Sequence, residues 1–210
     1  MNPFNPFKSI KGVWIVGILL SLALAVIVNL FAGVGLLEFD ELAFVRWVHI
    51  VAGIIWVGLL YYFNFVQMPA MAAAIADQGG PGPAAIGKYI LPRALLWFRW
   101  ASLVTWIAGA WYLVRTGQLL SVFAFGLSRG GDVAYALPMG VGAWLGTILL
   151  INVWAFLWPN QKKLMGLVPA SGDADLAQAK RTVAKVSRVN AVLSIPMLMF
   201  MVAAGHGVAF

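Results

Sequence analysis

Long, almost uninterrupted apolar runs dominate the chain, separated by short stretches in which glycine, proline and charge collect. A helix needs about 20 mostly apolar residues to cross about 30 Å of hydrocarbon. Five runs reach that length, over about 13–37, 42–67, 92–116, 137–158 and 186–209. None alternates with period two, and each is about twice as long as a barrel strand, so the pattern predicts helices rather than a β-barrel. The expected fold is an all-α integral membrane protein, a bundle of five transmembrane helices forming a single domain over 1–210. The first run follows Lys8 and Lys11 as a secretory signal would, but its apolar core is too long for one, so it is expected to remain as a span.

The segments between the runs read as loops. One spans 68–91 and carries Gly79-Gly80-Pro81-Gly82-Pro83; another spans 160–185. Inside the second, Asp173-Ala174-Asp175 puts acids where a helix dipole is positive, and Lys180, Arg181, Lys185 and Arg188 follow along one polar side. The pattern predicts a basic amphipathic helix that runs directly into the fifth span, with a kink at Pro196. It serves as a lipid-facing end or as a docking face for a partner.

Charge sets the orientation. With the N-terminus inside, the inner side receives Lys8, Lys11, Lys88, Arg93, Lys162, Lys163, Lys180, Arg181, Lys185 and Arg188, and the outer side Arg46, Arg115 and Arg129. Ten against three predicts a cytoplasmic N-terminus and a periplasmic C-terminus in a bacterial inner membrane. Composition agrees: 62% of residues are hydrophobic and 10% charged, with a mean hydropathy of +0.91. The net charge of +7 therefore reports topology and membrane lipid, not nucleic acid.

The absence of Cys excludes disulfides, thiolate iron–sulfur clusters, zinc ribbons and covalently attached c-type haem. Signatures of zinc proteases, phosphate-binding loops and serine hydrolases are missing too. All seven acids lie outside the apolar cores, which leaves few groups for a proton relay.

Only two histidines remain, His49 and His206. His49 lies seven residues below Leu42 on a descending helix, about 10 Å deep; His206 is four residues from the end of an ascending one, about 6 Å from the same face. Two imidazoles at similar depth on different helices suit the axial positions of haem b. Gly53 at i+4 and Gly205 beside His206 would admit a flat macrocycle, Trp56 lies at i+7, and Arg46 at i−3 would pair with a propionate. Packing histidines, or ligands of copper or a chlorophyll-type group, are alternatives. Arg46 is equally read as snorkelling to water, Asn152 as interhelical glue, and Met197, Met199 and Met201 as packing on different sides of one helix. Arg99 within the third run either snorkels or pairs with an acid or a cofactor carboxylate.

The run Arg46-Trp47-Val48-His49-Ile50-Val51-Ala52-Gly53-Ile54-Ile55-Trp56-Val57-Gly58 opens a series of motifs. It continues with Trp97-Phe98-Arg99-Trp100, Trp106, Gly109, Asn152-Val153, Pro159-Asn160-Gln161-Lys162, Asn190, Pro196 and Gly205-His206. In this order they resemble the membrane domain of bacterial urate hydroxylases, the urate oxidase N-terminal domain. That resemblance implies a multi-span inner-membrane protein tied to urate oxidation, with electrons passed to a cytochrome c domain. It also implies further histidines where this chain has Ala94, Gly140 and Val189. The expected function is a cytochrome b-like electron-transfer subunit with a bis-histidine haem b near the periplasmic face, held by His49 and His206. Its redox partner would be another membrane subunit, a quinone or a cytochrome c. The alternatives are a urate hydroxylase working with a separate cytochrome c and a haem-free structural or assembly subunit.

Overall fold

A computed structural model describes residues 9–33, 39–128 and 132–207, and every regular element among them is helical. Lys8 and Arg129, two of the charges that set the orientation, lie outside the described residues, as do 34–37 and 208–209 at the ends of the first and fifth expected spans. The chain divides into two units, Met1–Glu41 and Leu42–Phe210.

The first unit contains α1 (Ile10–Phe31), capped by the Ser9 hydroxyl, which accepts from the Gly12 amide at 3.1 Å. None of its side chains is buried, as expected of a helix whose apolar surface is matched to lipid rather than to a protein core.

The second unit is built on three helices much longer than a bilayer requires. α2 (Glu41–Tyr61) continues through a π-helical turn, Tyr62–Gln67, into α3 (Met68–Ala76), a path of 36 residues. A π-turn at Ile86–Ile90 leads into α4 (Leu91–Arg115), and the short α5 (Leu119–Phe123) follows. α6 (Val133–Ile151) passes through a third π-turn, Asn152–Leu157, into α7 (Trp158–Leu164). α8 (Asp173–His206) is a single helix of 34 residues.

Each π-turn is followed at once by a proline: Pro69, Pro92 and Pro159. A proline ring lacks an N–H and clashes with the carbonyl four residues earlier. A π-turn shifts the bonding to i−5 and widens the helix locally, so the chain stays helical where the sequence pattern predicts loops at 68 and 160. α8 begins at the predicted Asp173 and passes through Pro196 as one element.

Side-chain contacts order the four long helices into a closed antiparallel ring. Along α2, Arg46, His49 and Phe63 meet Tyr112, Thr105 and Phe98 of α4. Trp106 of α4 bonds Thr147 of α6 at 2.9 Å, and Asn152 at the end of α6 bonds Asn190 of α8 at 2.7 Å. The ring closes where Tyr61 and Asn64 reach Ser194 and Ser187 of α8, both at 3.0 Å. Each seam thus carries at least one interhelical hydrogen bond. Between helices in lipid such bonds supply specificity that apolar packing alone lacks. Trp56, Leu60, Phe63, Phe98, Leu149, Leu157 and Met197 fill the space between them.

Four helical paths are long and apolar enough to cross a membrane: Ile10–Phe31, Glu41–Ala76, Val133–Leu164 and Asp173–His206. α4 has the length, 25 residues, but Arg93, Arg99, Arg115 and four tryptophans dilute it. The expected bundle of five is therefore seen as a ring of four helices in one unit and α1 in another.

Candidate functional site

His49 lies on the stripe of α2 that Ala52, Trp56, Leu60 and Phe63 bury. A spacing of 3, 7, 11 and 14 residues keeps one face of a helix toward the core. The half-buried imidazole places Nδ1 2.8 Å from the Thr105 carbonyl oxygen. An Nδ1–H donated there fixes the neutral ring in the tautomer whose Nε2 is unprotonated, the arrangement that metal-ligating histidines use.

The room for the ring is made by Gly109, not by Gly53. A Cβ at Gly109 would stand 2.9 Å from both Nδ1 and Cε1 of His49, whereas one at Gly53 would make only an ordinary 3.7 Å contact with Thr105. The close backbone approach is between α4 and the histidine itself.

One turn outward, Arg46 donates to the Tyr112 hydroxyl at 3.1 Å, and its guanidinium lies 5.2 Å from that ring's centre. Tyr135 of α6 stands within electrostatic reach of both. Seven residues inward, Trp56 is only 2% exposed, and its indole N–H has no hydrogen-bond partner among the described residues. An arginine, an imidazole and two phenols therefore converge at one end of the ring, above a buried indole.

His206 is placed differently. The pairs Asn64–Ser187 and Tyr61–Ser194 fix the register of α2 against α8, and extending it brings residues 202–206 level with His49, so the two histidines share a depth. They do not share a face. The core stripe of α8 is Ser187, Asn190, Ser194, Met197 and Met201, and at 100° per residue His206 points about 180° from Met197. It is exposed, its Nδ1 lies 3.3 Å from the Val202 carbonyl of its own helix, and it lines a shallow groove with Leu198, Met199, Val202, Ala203 and Gly207. Gly205 is exposed, with nothing within 4 Å of a Cβ built there.

The donor set can thus be tested against haem b. His49 fits: its Nδ1 is held, its Nε2 has no hydrogen-bond partner among the described residues, and it lies on the core-facing stripe of α2. His206 does not fit as the opposite axial ligand in the same chain. At that depth a Cβ on Gly142 of α6 would already lie 3.1 Å from the Met201 side chain, so α6 and α8 leave no slot for a macrocycle between them. Among the described residues no three His, Cys, Asp or Glu gather as a metal site.

The positions where the resemblance implies histidines are filled structurally. Gly140 takes α5 directly against its backbone: a Cβ there would collide with the Val122 carbonyl and the Phe125 ring. Ala94 packs on the core, and Val189 is exposed.

Asn152 is interhelical glue as expected, and Asn190, fully buried, also donates to the Leu149 carbonyl at 3.2 Å. The three methionines do not face three different ways: Met197 and Met201, one turn apart, both meet α6 at Gly146 and Gly142, and only Met199 turns to the outer groove. Arg99 has no acidic side-chain partner among the described residues; its guanidinium lies over Trp158, 3.5 Å from the ring centre.

Compared with known proteins, residues 131–210 match the family described as urate oxidase N-terminal. The matched segment contains α6, α7 and α8, with Asn152, Asn190 and His206, and falls inside the stretch whose motifs resemble that family. No curated protein and no solved structure matches the chain.

Proposed function

We propose that this chain, whose segment 131–210 matches the urate oxidase N-terminal family, is an electron-transfer subunit of a redox complex in the bacterial inner membrane. Its five spans include α4 and α1, with the basic helix ends toward the cytoplasm and Arg46 and His49 toward the periplasm. His49 is the residue proposed to hold haem b, which when bound carries one electron between the partner that reduces it and the one that oxidises it.

The observation that supports this reading is the seat of His49. The Thr105 carbonyl orients the ring, Gly109 gives it space, and Nε2 has no hydrogen-bond partner among the described residues. Arg46 adds a fixed cation one turn away, suited to an anionic group at the outer end. The bis-histidine form within one chain is not proposed, because His206 turns outward. Electrons would pass to a cytochrome c or a second membrane subunit.

A second reading has its own support. The His49–Thr105 bond is one of a set in which every seam of the ring is joined once or twice, so His49 also suits a haem-free structural subunit. An optical spectrum of the purified chain before and after dithionite separates the two. A b-type band that appears on reduction supports the electron carrier, and its absence after expression with added haem precursor supports the structural subunit. Urate-dependent reduction of that band would promote a third reading, a urate hydroxylase.

A further inference from the structure

Two cations share one indole at the seam between α4 and the α6–α7 path. The Arg99 guanidinium lies 3.5 Å from the centre of the Trp158 ring and 5.8 Å from that of Trp154. The Lys162 ammonium lies 5.5 Å from the same Trp158 ring. Neither cation has a carboxylate partner among the described residues, whereas neighbouring Lys163 is engaged by Asp175 at 2.8 Å. A third donor in the cluster is unpaired: the Trp154 indole N–H is buried with no partner among the described residues. Three donors without an acceptor, two of them charged, leave the cluster one anion short.

The surroundings specify the kind of anion. Trp100, which packs edge-on against Trp154, is 50% exposed, and Leu96, one turn from Arg99, is exposed as well. The seam therefore opens onto an apolar surface where acyl chains lie, with aromatic rings at headgroup level. Stacking on Trp158 holds the guanidinium flat and leaves its N–H edge for an acceptor.

We propose that Arg99, Lys162 and Trp158 form a binding site for the phosphate of an anionic phospholipid, with its acyl chains laid along Leu96 and Trp100. Basic pockets between membrane helices bind such headgroups by charge and geometry together.

The test uses the full chain in phosphatidylcholine nanodiscs doped with phosphatidylglycerol, with retained lipid counted by native mass spectrometry. The wild type is expected to retain one phosphatidylglycerol. The control pair Lys180→Gln with Arg181→Gln, exposed cations elsewhere on the basic side, should retain it equally. Arg99→Gln with Lys162→Gln should retain it about ten-fold more weakly, the loss of charge-assisted bonds worth about 1.4 kcal/mol. Arg99→Lys should fall between, since the ammonium keeps the charge but loses the planar stack. If the double variant does not fold in phosphatidylcholine alone, Lys162→Gln alone carries the comparison, with a several-fold loss expected. Equal retention in the site variant, equal loss in the control pair, or displacement of the lipid by millimolar inorganic phosphate would each overturn the proposal.

Discussion

Replacing Gly109 by alanine tests the seat of His49 without touching the histidine. The added methyl would stand 2.9 Å from two ring atoms, Nδ1 and Cε1, about half an ångström inside ordinary contact. A ring is not a flexible chain end, so the imidazole must move as a whole. That movement stretches the 2.8 Å bond to the Thr105 carbonyl toward the limit of about 3.2 Å. Overpacking costs about 1–3 kcal/mol, and an interhelical bond in a membrane is worth about 0.6 kcal/mol. Against these, alanine in place of glycine gains up to about 1 kcal/mol in a helix. The net expectation is a loss of about 1–3 kcal/mol. In a His49→Ala background the clash and the bond are both gone, and the same Gly109→Ala change should be neutral or stabilising by up to about 1 kcal/mol. Detergent-driven unfolding of the four variants in mixed micelles, followed by tryptophan fluorescence, reads both values. An effect of the same sign and size in both backgrounds would refute the contact.

Asn190→Ala should cost about 1–2 kcal/mol in the same assay, because it strips the Leu149 carbonyl and the Asn152 amide of their shared partner at a fully buried position; a neutral result would contradict its role as the α6–α8 clasp. Gly140→Ala should drive α5 from its seat, raising amide exchange over Leu119–Phe123 while exchange in α2 is unchanged. For topology, a phosphatase fused after Phe210 should be active in the periplasm and one inserted at Gly166 inactive, and the reverse pattern would invert the proposed orientation.

Depth was readable from the sequence and direction was not. Counting residues from the span ends puts His49 and His206 at one level, and the α2–α8 register agrees. Facing depends on which stripe of α8 is buried, and its mostly apolar surroundings hide that stripe. The signal that could have found it is polar: Ser187, Asn190 and Ser194 recur at 3 and 4 residues, and that face puts His206 outside. The loops expected at 68 and 160 differ for another reason: the apolar runs end there, but the helix continues through a π-turn into Pro69 and Pro159. Gly53 and Gly109 look alike in sequence, and only the approach of α4 to the imidazole distinguishes them. The pairs Asn64–Ser187 and Trp106–Thr147 join residues far apart in the chain, which no local pattern announces.

The most direct test of the proposed role compares dithionite-reduced spectra of the wild type, His49→Ala and His206→Ala, each purified in one detergent. With His49 as the core ligand and His206 turned outward, the b-type band should be lost in His49→Ala and retained, with unchanged shape, in His206→Ala. A low-spin band that His206→Ala also abolishes would contradict the account and return His206 to the iron, while a band indifferent to His49→Ala would remove His49 from it.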